Sequence, residues 1–343
     1  MRDHPRAEAS RTREKPAAMS LLLVLLFLLI MPPGDVRPQK CPMSRGSQAG
    51  QFTIAVKVGL VVLHATVLDS KGITVSGLHK EDFQVFEDGV PQQIDSFTHE
   101  DIPVTVGLVV DNSGSMGPKR PEVIAAALVF ARSSNPQDQM FVVNFNEKVS
   151  FGLPHDTPFT DEAAPLRAAM SRIAANGMTA LYDAVAAALE HLKKGNRDKK
   201  VLIVISDGGD NASRQKLAQI MAMAKRSDAI IYTIGLFDED DPDRNPGALR
   251  QLAKATGGEA FLPESVNDVV PICERIAHDI RNQYTIAYVP ANEKQDGTYR
   301  IIQVKAGSPG RGRLAVRTRA GYYAPRNSQS LPSTGAAYHE DPN

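Results

Sequence analysis

The sequence predicts an α/β protein built on a doubly wound, mainly parallel sheet and flanked by β-rich segments. Three observations predict it. Four apolar, β-branched runs lack polar alternation: VTVGLVV (104–110), MFVVNF (140–145), VLIVIS (201–206) and AIIYTIGLF (229–237). Such runs suit strands buried on both faces, as in a parallel sheet covered by helices. Stretches with helical periodicity separate them, which is the strand-helix alternation of a doubly wound domain. Outside 103–282 the text changes to shorter alternating runs with Gly-containing turns, the mark of antiparallel β structure.

The elements follow in order. Residues 21–31, LLLVLLFLLIM, form an apolar run preceded by five Arg/Lys and three Asp/Glu. It is too short to span a bilayer comfortably and suits the core of a secretory signal, so residues 1–34 are read as a signal peptide, or an amino-terminal anchor if uncleaved. A linker is expected over 35–51. The β-rich amino-terminal flank, 52–102, contains FTIAVKV, LVVLHATVLD, ITVSGL, FQVFEDGV and IDSF, with Asp88-Gly89 as a turn. Within the core, 103–282, helices are expected over 121–134, 180–194, 213–227, 247–255 and 266–281. Val123, Ala127, Phe130 and Ala131 mark the face of the first; Leu181, Val185, Ala188 and Leu192 mark the second; Leu217, Ile220, Met221 and Ala224 mark the third. The carboxy-terminal flank, 283–325, returns to strands in QYTIAYVP, YRIIQVKAG and LAVRTRAGYYAP, and the polar tail at 326–343 is expected to be disordered.

Composition narrows the function classes. The 343 residues include 39 basic and 39 acidic side chains, so no global charge recruits nucleic acid or an anionic membrane. Membrane attachment is expected only through an uncleaved amino-terminal segment. Cys41 and Cys273 are too few for a disulfide framework; Cys273 shares an apolar helical face with Val269, Ile276 and Ile280.

Polar groups leave the predicted strands where an open parallel sheet binds its ligands, at the carboxyl ends. Asp111-Asn112-Ser113-Gly114-Ser115 follows the first core strand, Asn176-Gly177-Met178-Thr179 precedes the second helix, and Ser206-Asp207-Gly208-Gly209-Asp210 follows the strand at 201–206. Converging, they would offer the carboxylates of Asp111 and Asp207 and the hydroxyls of Ser113, Ser115 and Thr179. Hard oxygen donors without sulfur or imidazole select Mg²⁺, Mn²⁺ or Ca²⁺ over zinc, with Mg²⁺ keeping several waters. Each loop taken alone is equally consistent with helix capping. The acidic run Asp238 to Asp243 reads as a solvated loop, and Asp210 and Asn211 as turn residues.

Asp111-x-Ser113-x-Ser115 with Thr179 and Asp207 resembles the metal-ion-dependent adhesion site of von Willebrand factor type A domains, a Rossmann-like fold. The order KEDFQVFEDGV, DNSGSM, TALYDAV, SDGGDN, QYTIAYVP resembles bacterial members of that family over about 52–323. The resemblance implies that the five residues hold Mg²⁺ directly or through water, and that a protein partner offers an acidic side chain to it outside the cytoplasm, in a secreted, periplasmic or cell-surface setting. Two other readings compete: a metal-dependent hydrolase, and a scaffold whose cation is purely structural. Catalysis needs a positioned base or nucleophile. The eight histidines show no metal-ligand spacing, and no G-x-S-x-G, phosphate-loop or H-E-x-x-H pattern occurs. The expectation is therefore a non-catalytic binding module.

Overall fold

A computed structural model describes residues 59–238 and 243–326. The expected signal segment, the linker, the strand at 52–58, Cys41, residues 239–242 of the acidic run and the tail from 327 lie outside the described residues. Among the described residues no helix is long and apolar enough to cross a membrane.

The continuous apolar runs form the central sheet: β5 (Val104–Asp111), β6 (Gln139–Phe145), β8 (Lys199–Ser206) and β9 (Ala229–Gly235). With the short strands β7 (Val149–Phe151) and β10 (Ala260–Phe261), the order is β10-β9-β8-β5-β6-β7, parallel except for the β6/β7 hairpin. All eight residues of β5 and all seven of β9 are buried, which explains why these strands show no alternation.

Helices cover both faces: α1 (Arg120–Ser133), α2 (Ala163–Ser171), α3 (Leu181–Leu192), α4 (Leu217–Arg226), α5 (Pro246–Thr256) and α6 (Val269–Arg281). Helix α2 goes beyond the sequence reading; its buried stripe is only Leu166, Ala169 and Met170, one short repeat preceded by Pro165. Helix α4 begins at Leu217, four residues later than the pattern suggests. The reason is local: the amides of Arg214 and Gln215 donate to the Asp183 carboxylate at 3.0 and 3.1 Å, drawing this segment into a loop.

The two flanks pair with each other. Strands β1 (Val61–Leu68), β4 (Ser96–Thr98), β11 (Tyr284–Tyr288) and β13 (Ala315–Arg317) form one antiparallel sheet in the order β13-β1-β11-β4. Strands β2 (Phe83–Glu87), β3 (Val90–Gln92), β12 (Tyr299–Ala306) and β14 (Gly321–Tyr323) form the second, ordered β14-β12-β2-β3. They share a core of Leu63, Ala65, Val67, Phe83, Val85, Tyr284, Ile286, Tyr288, Ile302 and Val304. Two expectations fail in detail. The run at 73–78 forms no strand beyond a single bridge from Thr74 to Leu68, and 314–325 divides into β13 and β14, which belong to different sheets.

Arg317 of β13 joins this module to the α/β core. Its guanidinium pairs with Asp279 of α6 at 2.9 Å and with Glu259 beside β10, and lies 5.8 Å over the Tyr232 ring of β9. Thr74 donates to the other Asp279 oxygen at 2.9 Å. Cys273 is buried on the inner face of α6 among Val269, Ile276 and Ile280, as its spacing predicts. Burial pushes its thiol pKa up to about 12, so it packs as a small apolar group.

Candidate functional site

The site begins where β5 stops. Asp111 is the last residue of a wholly buried strand, and its carboxylate turns back on its own loop: Oδ1 accepts the Ser113 amide at 2.8 Å. Oδ2 accepts the hydroxyl of Ser206, the last residue of neighbouring β8, at 2.6 Å. Both bonds fix the carboxylate against the sheet edge. Chain direction reverses over Gly114–Lys119, a 3-10 turn, before α1 starts.

Ser113 and Ser115 present their hydroxyls side by side, 3.2 Å apart, and Ser115 donates onward to the Asp207 carboxylate. Asp207 also accepts the Gly209 amide at 3.3 Å. The β5 and β8 loops therefore meet through two serine-aspartate contacts. Asp111, Ser113 and Asp207 are buried, whereas Ser115 lies at the exposed rim.

The third loop is pinned by backbone. Gly114 N donates to Gly177 O at 3.2 Å and Asn176 N to Asn112 O at 3.0 Å. Gly177 has φ 78°, a left-handed conformation that favours glycine, and the Glu147 carboxylate lies over it. Thr179 is buried two residues further on. Its carbonyl accepts the amides of Asn211 and Ala212, both at 3.0 Å, and its amide donates to Asn211 Oδ1 at 2.9 Å. The structure thus ties Thr179 to the Asp207 loop through main chain. Met178 beside it is 54% exposed.

A layer of asparagines braces these loops from beneath. Asn112 donates to Val110 O and to Asn144 Oδ1; Asn144 donates to Ala169 O; Asn146 donates to Asn176 Oδ1, and its carbonyl receives the Ala180 amide. Sequence reasoning missed Asn144, Asn146 and the part played by Ser206. The available signal was three polar residues at or just beyond the ends of otherwise apolar strands. Asp210 and Asn211 do more than turn: Asp210 accepts the Tyr182 amide at 3.2 Å at the start of α3, and Asn211 links Thr179 to Asp243.

Electrostatics concentrate on Asp111. Burial, and then the charge of Asp207, raise its pKa to about 6, against the lowering effect of the Ser206 and Ser113 hydrogen bonds. The groups bonded to the two carboxylates are hydroxyls and amides. Among the described residues no cluster of three or more His, Cys, Asp or Glu side chains could hold a metal, so any cation here depends on the hydroxyls for much of its shell.

Comparison with known proteins finds similarity in the core of the chain. Residues 106–209 match the family model of the von Willebrand factor type A domain, under a third of the 343 residues. No curated protein matches the sequence. Among solved structures, the chain is similar to the vWF domain of the type V pili tip protein Mfa5 from Porphyromonas gingivalis, at 14% identity over 52% of this chain and 95% of that one, TM-score 0.45. It is also similar to a von Willebrand factor type A protein from Catenulispora acidiphila, at 14% identity over 78% and 74%, TM-score 0.46. Proximal thread matrix protein 1 from the mussel byssus aligns at 13% identity over 53% of this chain and 49% of its own, TM-score 0.44.

Proposed function

We propose that this chain is a non-catalytic protein-binding module that recognises its partner through a divalent cation held by Asp111, Ser113, Ser115, Thr179 and Asp207. One observation carries the reading: two buried carboxylates from adjacent strands meet two serine hydroxyls, and the direct partners of both acids are neutral. The charge of Asp207 adds to the cost of ionising Asp111, and a cation is the complement such a site calls for. All-oxygen donors with few carboxylates suit Mg²⁺ first, with Mn²⁺ and Ca²⁺ meeting the same chemistry.

The chain's own groups divide the work. Ser206 and the Ser113 amide orient Asp111, the Asn112-Asn144 pair stiffens the loop behind it, and Asn211 holds the Thr179 backbone. When bound, the ion would supply an electrophilic position at the Ser115 rim, suited to a carboxylate from a protein partner. The match of residues 106–209 to the type A family supports protein recognition. The three loops carry no histidine or cysteine, which favours binding over turnover. The basic segment and apolar run before residue 34 support an extracytoplasmic setting, secreted, periplasmic or at the cell surface.

Scanning calorimetry with added Mg²⁺ or Mn²⁺ tests the reading. A ligand at a hundred times its Kd stabilises by about 2.7 kcal/mol. Wild-type protein is expected to gain several degrees in Tm, and Asp111→Ala and Ser113→Ala to gain none. Absence of any cation effect, with partner capture intact in chelator, would reject metal-dependent recognition. Turnover abolished by Asp111→Ala would favour the hydrolase, and a cation response with cation-independent capture would favour the structural ion.

A further inference from the structure

Met178 stands 54% exposed between Gly177 and Thr179, inside the third loop of the candidate site. One exposed apolar side chain needs no explanation by itself. Its setting singles it out. The main chain on both sides is tied down: Gly177 O accepts the Gly114 amide at 3.2 Å, and the Thr179 amide donates to Asn211 Oδ1 at 2.9 Å. A large apolar group is therefore held in water, next to a proposed ligand of the cation, on a backbone that is not free to withdraw it.

The two loop segments around it carry no charge. Residues 112–118 and 173–180 contain no Asp, Glu, Lys, Arg or His. They lie side by side: Asn176 N donates to Asn112 O at 3.0 Å, and a Cβ added to Gly117 would meet the Ala175 methyl at 3.7 Å. Gly114, Pro118, Ala174 and Gly177 are exposed with Met178, so small uncharged groups surround the one long side chain. Charge stands at the borders. Lys119 ends the first segment, and its ammonium is engaged elsewhere, donating to Leu236 O at 2.7 Å and to Asp238 at 2.8 Å. Arg172 precedes the second segment and is exposed, and the Glu147 carboxylate lies over Gly177. Charge-depleted centres enriched in Met are what protein interfaces bury, and the unbranched thioether adapts to apolar groups of different shape.

We propose that this uncharged shoulder receives a large apolar side chain of the protein partner, beside the single acid that reaches the cation. This rests on the cation-dependent reading above and names the chemistry of the neighbouring partner residue. Met178 supplies the apolar area, and Glu147 disfavours a second acid at that place.

Selection of a displayed random dodecapeptide library on the full chain tests this, with Mg²⁺ and with chelator, for wild type and for Met178→Gln. Glutamine keeps the length and the neutral charge, and at an exposed position it leaves the fold intact. In Mg²⁺ wild type is expected to enrich peptides in which one Asp or Glu has a large aliphatic or aromatic residue at a constant spacing. Met178→Gln is expected to keep the acid, lose the apolar position and bind the wild-type consensus peptide about tenfold more weakly. Enrichment that depends on Mg²⁺ but is identical for both proteins would overturn the shoulder while leaving the cation site. An apolar position that Met178→Gln loses in Mg²⁺ and in chelator alike would support the shoulder and reject the cation. Absence of any apolar preference in wild type would overturn the proposal outright.

Discussion

Asp111 is the residue on which the physics of the site turns. Its folded-state pKa of about 6 lies above the ordinary 3.8, so the folded protein holds this proton more tightly than the unfolded chain. The penalty for ionising it is absent below about pH 4, grows between 4 and 6, and is complete above 6. At roughly 1.4 kcal/mol per unit it amounts to about 3 kcal/mol. Asp138 is raised to about 6, chiefly by burial, and adds a similar slope, so the total curve cannot isolate one group. The difference between wild type and Asp111→Asn can. Asparagine still accepts the Ser113 amide, and its amide can donate to Ser206 once that hydroxyl rotates. In chelator the variant is expected to be more stable than wild type at pH 7.5 by up to about 3 kcal/mol. The gap should close towards pH 4, as read by urea denaturation. With Mg²⁺ present the proposed cation site predicts that the order reverses, because Asp111→Asn removes one of its two carboxylates. A gap independent of pH would show that Asp111 is not the ionising group.

At the scale of elements, legibility followed burial. Strands β5, β6, β8 and β9 were readable because both faces are covered, leaving an unbroken apolar text, and five of the six helices because a longer apolar stripe marks them. Helix α2 was not, since nine residues with one proline hold a single repeat. Asp111, Ser113, Ser115 and Asp207 were legible as oxygen-bearing residues in loops that leave strands, and Thr179 as one just before a helix. Their bracing was not, because Asn144 and Ser206 act across strands and no local spacing encodes which strands are neighbours. Long-range ion pairs were hidden for the same reason. Arg317 lies 38 residues from Asp279, yet their contact locks α6 to the β module. Asp279 is fully buried and would lose its cationic partner in Arg317→Met. Removing one member of a buried pair costs about 3–5 kcal/mol, whereas replacing both is far milder. Arg317→Met is expected near the lower end, since Thr74 still donates to Asp279. Arg317→Met/Asp279→Leu should recover part of the loss. A double variant as unstable as the sum of its parts would disprove the coupling.

At the scale of the molecule, the α/β core is inserted within a β sandwich whose halves come from opposite ends of the chain. Strand β4 ends at Thr98 and β5 begins at Val104; α6 ends at Arg281 and β11 begins at Tyr284. Both neighbours of β1, namely β11 and β13, and one neighbour of β2, namely β12, follow the core in sequence. The amino-terminal flank alone therefore keeps only the β2/β3 hairpin, and an isolated two-stranded hairpin is marginal in water. It also loses the apolar lid of Tyr284, Ile286, Tyr288, Ile302 and Val304. A fragment ending at residue 282 should accordingly show unprotected amides over 61–98 by hydrogen exchange, while 104–281 remains protected. Loss of Arg317 from Asp279 and Glu259 should lower the core's Tm by several degrees, given about 2–4 °C per kcal/mol for a domain of this size. The three candidate loops are held by hydrogen bonds to one another and to the α/β core, so the proposed cation response should survive the truncation. Protection retained over 61–98 would mean that the amino-terminal flank folds without its distant partners, and the sandwich would not be one cooperative unit.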